Sequence, residues 1–225
     1  MNINLQKKSA AQAAVNYIDE GMIVGLGTGS TANYFIEALS KKIKAANWHL
    51  TCVTTSTKSR QLAESLGIHV VSIDDVNHID VTVDGVDEFD PQLNGIKGGG
   101  VALLFEKIVA LSSNKNIWIV DTSKKSDKLG SFLLPVEIIP FGSVQLFTKL
   151  SQMNLKPQFR VDNQNQKVLT DSKNYIIDVD ISHVSDIHKL ADTLKSLTGI
   201  VEHGLFLDLC HTVIIGGEHI EKIDR

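Results

Sequence analysis

The feature that most narrows the fold is a rhythm. Through the first half of the chain, short runs rich in β-branched residues alternate with longer amphipathic runs. The runs at 22–26, 50–54, 69–73, 79–84 and 116–121 read as strands, and those at 7–20, 31–43, 58–66 and 101–112 as helices. Strands that are each followed by a helix pair side by side in parallel, with the helices packed on the sheet faces. The pattern therefore predicts an α/β fold with a parallel, doubly wound Rossmann-like sheet. After about residue 128 the rhythm changes to strand 132–139, helix 143–153, strands 156–161 and 175–181, helix 185–197 and strand 200–207. That order, β-α-β-β-α-β, is the split ferredoxin-like pattern. A last strand at 212–215 is expected to rejoin the first sheet. Residues 1–128 plus 208–225 are thus predicted to form a Rossmann-like catalytic domain. Residues 129–207 are predicted to form an inserted smaller α+β domain and a candidate oligomer interface.

Composition removes several classes of function. The 225 residues are 43% hydrophobic, enough for a sizeable core, and carry 22 basic against 26 acidic side chains for a net charge of −4. A protein that binds nucleic acid by neutralising phosphates needs the opposite balance. No apolar run approaches the ~20 residues of a membrane span, and no apolar stretch follows the lysines of the N-terminus. A cytoplasmic location is expected, with no nucleic-acid or membrane partner. Cys52 and Cys210 sit in apolar runs and no Cys-x-x-Cys occurs, so both read as small buried hydrophobes. The eight histidines show no paired ligand spacing, and no metal is expected.

Ligands of open parallel sheets bind beyond the carboxyl ends of the strands. The residues at these ends are Gly27 to Thr31, Thr55 to Thr57, Asp84 to Asp87 and Asp121 to Lys124: hydroxyls, glycines, aspartates and a lysine. Such a lining suits a polyhydroxylated phosphate ester. The run Gly25-Leu26-Gly27-Thr28-Gly29-Ser30-Thr31 leaves an apolar strand and opens a helix. Its glycines admit an anion to the backbone, the helix N-terminus favours negative charge, and Ser30 and Thr31 are expected to cap the helix and donate hydroxyls. A dinucleotide site would need a carboxylate after the second strand, where the sequence has Thr54-Thr55-Ser56-Thr57-Lys58. Hydroxyls with a lysine suit a phosphate better than a ribose diol.

Three carboxylates crowd the next strand end, in Asp84-Gly85-Val86-Asp87-Glu88, followed by Lys97-Gly98-Gly99-Gly100. Three consecutive glycines before a helix are costly in backbone entropy unless something must approach closely. The helix after them, residues 101–111, is apolar except for Glu106 and Lys107, and is expected to be buried nearly all round. A carboxylate withdrawn from water has a raised pKa and can act as a general base near neutral pH. Glu106 is the candidate base; structural pairing with Lys107 or another cation is the alternative.

Taken together, Gly25 to Ala32, Val83 to Glu88, Lys97 to Gly100 and Glu106-Lys107-Ile108 resemble the signature blocks of the type A ribose-5-phosphate isomerases. Further matches are Asp121 to Lys124, Leu134 to Pro140 and Gly204-Leu205-Phe206, in family order across nearly the whole chain. The resemblance implies an aldose–ketose isomerase interconverting ribose 5-phosphate and ribulose 5-phosphate through an enediolate, with no cofactor. It implies a homodimer or homotetramer. It assigns substrate binding to Thr28, Gly29, Ser30, Thr31, Asp84, Gly85, Val86, Asp87, Lys97, Gly98, Gly99, Gly100 and Lys124, with Lys7 reaching the phosphate in some members. It makes Glu106 the proton acceptor. Asp84, with help from Lys97 or Asp87, is expected to open the furanose ring, and which aspartate does so stays open. Phe105 departs mildly from the family, where a polar or charged residue is frequent. An amino-sugar-phosphate deaminase, a non-catalytic sugar-phosphate sensor and an NAD-linked enzyme are the competing readings.

Overall fold

A computed structural model describes the whole chain, Met1–Arg225. In chain order its elements are α1 (Ile3–Ala14), β1 (Ile23–Leu26), α2 (Ser30–Ala46), β2 (Thr51–Thr54), α3 (Thr57–Ser65), β3 (Ile79–Asp84), β4 (Glu88–Phe89) and β5 (Gly95–Ile96). There follow α4 (Leu103–Leu111), β6 (Ser113–Asp121), β7 (Leu134–Ile138), α5 (Ser143–Gln152), β8 (Gln158–Phe159) and β9 (Tyr175–Val179). The chain ends with α6 (Ile187–Ser196), β10 (Ile200–His203), β11 (Leu205–Phe206), β12 (Thr212–Gly216) and β13 (Glu221–Asp224). No helix is long and apolar enough to cross a membrane.

Two compact units result. The first comprises Met1–Val86, Phe105–Lys125 and Asp208–Arg225. Its sheet has the order β13-β12-β6-β3-β1-β2, parallel except for β13, which runs antiparallel to β12 at the edge. Cys52 and Val53 are neighbours on β2 and point to opposite faces. They enter two separate apolar clusters, one with Phe35, Ile36 and Leu39 of α2, the other with Val109 of α4, so both faces of the sheet are covered. Helix α2 forms because Ala32, Phe35, Ile36 and Leu39 recur at helical spacing and are all fully buried. It stops at Asn47, whose left-handed backbone (φ 54°) brings the N–H of the next residue, Trp48, onto the Ile43 carbonyl (3.0 Å).

The second unit comprises Asp87–Leu104 and Ser126–Leu207. Its antiparallel sheet, β10-β7-β9-β8, backs onto α5 and α6 around Val136, Ile138, Leu150, Ile177, Val179 and Leu194. A second, three-stranded sheet joins β4, β5 and β11, the last two more than a hundred residues apart.

Two expected strands came out differently. Residues 69–73 form only a single bridge, Cys52 to Val70, before Ser72 caps a short 3-10 turn at Ile73–Asp75. The Val71 carbonyl accepts from Arg60 Nη2 (3.0 Å) in place of a neighbouring strand. The run 200–207 splits into β10 and β11, which belong to different sheets. The break is Gly204, whose N–H donates to the Pro135 carbonyl (2.7 Å) and whose carbonyl accepts from Lys97 N (2.9 Å). A Cβ there would stand 2.2 Å from the Lys97 carbonyl oxygen, so only glycine fits.

Candidate active site

In the first unit the loop after β1 is clamped by its neighbours. The Gly27 N–H donates to the Val83 carbonyl (3.0 Å), and the Thr28 N–H donates to Asp84 Oδ1 (2.9 Å). The same oxygen accepts from Gly85 N–H (2.7 Å), so two backbone donors fix the carboxylate at the end of β3. Asp84 is 3% exposed and Val86 5%, while Gly85 is half-buried. Glycine at position 27 is required by this approach, since an added Cβ would lie 2.1 Å from Asp84 Oδ1. The Thr28 hydroxyl meets those of Thr55 (2.7 Å), Ser56 (2.8 Å) and Ser59 (3.3 Å). Ser59 also donates to the Gly27 carbonyl (2.7 Å). The hydroxyls beyond β2 therefore hold the loop in place; Ser59 had no signal in the sequence.

The helix start differs from expectation. The N-cap of α2 is Gly29 (φ 107°), with no side-chain capping bond. Ser30 is the first helical residue, exposed, and its Oγ accepts from Lys7 Nζ (3.0 Å). The first-turn amides are thus left without a side-chain acceptor, the arrangement in which helix N-termini receive anions. Thr31 is buried at 9% exposure. Gln6, the neighbour of Lys7 on α1, accepts from both N–H and hydroxyl of Thr122 (3.0 Å each). That bond draws the turn Thr122–Lys124 toward the start of α1, and the buried Asp121 shapes the turn by accepting from Ser123 N–H (3.0 Å). Lys124 is half-buried in this turn. Gln6 was not singled out from the sequence, where a helical glutamine looks like any solvated one.

Helix α4 inverts the usual arrangement and corrects the expectation of burial all round. Glu106 and Lys107 are 3% and 6% exposed, whereas Phe105, Ile108 and Leu111 are 36%, 42% and 66% exposed. The helix turns its two charged residues inward and three of its large apolar ones outward.

In the second unit the Gly98–Gly99 turn is fixed from several sides. Asp87 Oδ2 accepts from Gly99 N–H (2.7 Å), and a Cβ at Gly99 would stand 2.7 Å from that carboxylate. Gly98 has φ 107°, and its Cβ would collide with Leu103. Lys97 is 3% exposed, with Nζ 5.4 Å from the centre of the Phe206 ring. Gly99 and Gly100 are exposed. Glu88, the third carboxylate of the cluster, is only 2% exposed and faces away from this chemistry. It accepts from the N–H groups of Gly130, Ser131 and Phe132 (3.0, 3.1 and 3.0 Å) and from the Ser131 hydroxyl (2.6 Å). Burial pushes its carboxyl up, and these donors together bring it below the ordinary value. Cys52 is fully buried, and burial pushes its thiol up to about 12, which leaves it inert.

The chain matches the family described as ribose 5-phosphate isomerase A (phosphoriboisomerase A) over residues 51–219. It is 51% identical to the ribose-5-phosphate isomerase A of Levilactobacillus brevis over 216 residues, 96% of this chain and 95% of that one. It is 50% identical to that of Streptococcus thermophilus over 96% of each chain. Among solved structures, a D-ribose-5-phosphate isomerase in complex with phospho-erythronic acid superposes with a TM-score of 0.96 at 38% identity, over 100% of both chains. The Plasmodium falciparum enzyme does so at 0.94 and 33%, over 99% of both. A parallel sheet that ends in a clamped glycine loop, a buried Asp84 and a buried Glu106 is the setting in which these likenesses converge, and the chain belongs to the ribose 5-phosphate isomerase A family.

Proposed function

We propose that Glu106 is the base in the reaction that family membership assigns to this chain, the interconversion of ribose 5-phosphate and ribulose 5-phosphate. Asp84, helped by Lys97 or Asp87, moves the protons that open the furanose ring. Glu106 then removes the proton from C2 of the open aldehyde. The enediolate forms, the hydroxyl proton on O2 passes to O1's side of the pair, and Glu106 returns its proton to C1. Lys97 and the amides of Gly98 and Gly100 stabilise the oxyanion as it develops, while the Gly99 N–H is held by Asp87. Thr28, Gly29, Ser30 and Thr31, with Gly85 and Val86 beside Asp84, hold hydroxyls and phosphate, and Lys7 and Lys124 supply positive charge to the phosphate. Binding energy from the phosphate orients the reacting end.

The observation that carries this reading is the inward-facing Glu106 on a helix that leaves Phe105, Ile108 and Leu111 outside. Burying a charged group is costly, so a fold keeps one either for structural donors, as with Glu88, or for its chemistry, and Glu106 lies on the unit that carries Asp84 and the glycine loop. The test is conversion of ribose 5-phosphate in EDTA by wild type and Glu106→Gln, run in deuterated water. Wild type should turn over, with deuterium entering C1 to the extent that the Glu106 carboxyl exchanges the proton taken from C2 with solvent before returning it. The variant should bind the sugar phosphate and lose about 10²–10⁴ in kcat, the usual worth of a general base. A variant with most of its activity would overturn the assignment. The assembly we propose is a homodimer or homotetramer, with the α+β unit (129–207) contributing an interface, and the location is the cytoplasm; sedimentation of the purified protein checks the first.

A further inference from the structure

Arg160, the residue after β8, has a half-buried guanidinium fork with each of its three nitrogens engaged. Nε donates to Asp178 Oδ2 (2.9 Å) and Nη2 to Asp178 Oδ1. Nη1 donates to the Gly98 carbonyl (2.6 Å) and more weakly to that of Gly99 (3.4 Å). The Gly98 carbonyl also accepts from Val101 N–H (3.1 Å), so both of its lone pairs are engaged. Across the same peptide, the Gly99 N–H donates to Asp87 Oδ2 (2.7 Å). A chain of hydrogen bonds therefore runs from Asp178 through Arg160 and the Gly98–Gly99 peptide to Asp87. A donor on the carbonyl of a peptide polarises its N–H, so each bond in such a chain strengthens the next. Because Asp178 already pairs with it in bidentate fashion, Arg160 acts here as a planar set of donors and is not a spare cation for a phosphate.

We propose that Arg160 is a positioning residue: seated on Asp178, it sets the Gly98–Gly99 peptide and, through it, the orientation of the Asp87 carboxylate. This rests on the roles given above to Asp87 and the glycine loop. A lysine cannot replace the fork, since one ammonium cannot meet both Asp178 oxygens and the Gly98 carbonyl in one plane.

Four variants test it: Arg160→Ala, Arg160→Lys, Asp87→Asn and the double variant Arg160→Ala/Asp87→Asn. Arg160→Ala leaves the Asp178 carboxylate unpaired, so it should fold but melt below wild type, and it should lose roughly 10²-fold in kcat, the scale of a misplaced catalytic group, with KM changed far less. Added guanidinium should restore part of kcat where an equal ionic strength of ammonium does not. Should Arg160→Ala fail to fold, Arg160→Lys carries the same expectation of lowered kcat at steady KM. The double variant should be no slower than Asp87→Asn, because the two residues act through one bond chain. A folded Arg160 variant with wild-type kcat, one with raised KM alone, or losses that multiply in the double variant would each overturn the proposal. Wild-type kcat in Asp87→Asn would instead remove the reading on which it rests, whereas a slow Asp87→Asn beside a fast Arg160→Ala sinks this inference alone.

Discussion

Asp84 and Gly27 approach so closely that neither tolerates a larger neighbour. A methyl at position 27 would lie 2.1 Å from Asp84 Oδ1 and 2.5 Å from its Cα, and the second atom is backbone that cannot swing away. Gly27→Ala should cost about 1–3 kcal/mol of stability, as overpacking does, and also disturb the carboxylate that Thr28 and Gly85 orient. Urea unfolding and activity measured together check both effects; an unchanged unfolding midpoint would contradict the contact. Lys124→Ala should chiefly raise KM, since a phosphate held by a point charge contributes alike to ground and transition states. At this scale the glycines, Asp84 and Glu106 stand out in the sequence as candidates, because each is an unusual residue in its local run, whereas Lys124, with Lys125 and Lys128 beside it, stands out only by its place after a strand. The cap of α2 was not legible: Gly29, with its positive φ, takes the position expected of Ser30, and Lys7 takes the hydroxyl.

Helix α4 joins local pattern to function more directly than any other element. Leu103 is fully buried on its inward side, so Leu103→Ala should cost about 2–5 kcal/mol, read from denaturant unfolding. Ser56 caps α3 by accepting from Ser59 N–H (3.1 Å) and also receives the Thr28 hydroxyl. Ser56→Ala should remove about 0.5–2 kcal/mol, the worth of a cap, and loosen the loop after β1 as well. A loss of stability with no change in KM would separate the cap from the loop. Both helices could be read from the sequence as elements. Which face α4 buries could not, because its apolar residues surround the axis and periodicity alone offers no inside.

For the whole molecule, the clearest pH-dependent contribution comes from Glu88. Its Oε1 and Oε2 gather four donors from residues 130–132, and its carboxyl titrates below the ordinary 4.5. A lowered folded value means that this stabilisation is fully present above 4.5 and is lost as pH falls through the folded value. Glu88→Gln should therefore cost about 1–3 kcal/mol at neutral pH, because in either orientation the amide NH₂ would face at least one N–H donor. The gap between variant and wild type should shrink on acidification below 4.5. Equal gaps at pH 7 and about pH 3 would contradict this origin. From sequence, Glu88 looked like part of the acid–base cluster; its donors lie some forty residues away and carry no mark of their own.

What the amino-acid sequence determined alone is whatever a short window encodes: the alternation that makes a parallel sheet, the β-α-β-β-α-β order, the glycine loop opening α2, and a candidate base, Glu106, standing in a mostly apolar helix. These follow from side-chain period, backbone freedom and capping, all of which act over a few residues. Tertiary structure alone decided which backbone groups need distant partners. Packing brought Phe206 and Leu205 onto β5, broke the 200–207 run at Gly204, turned Glu88 toward 130–132 and placed Arg160 on the Gly98 carbonyl. A buried N–H or carbonyl must be paired by something, and only the assembled fold determines what lies within reach.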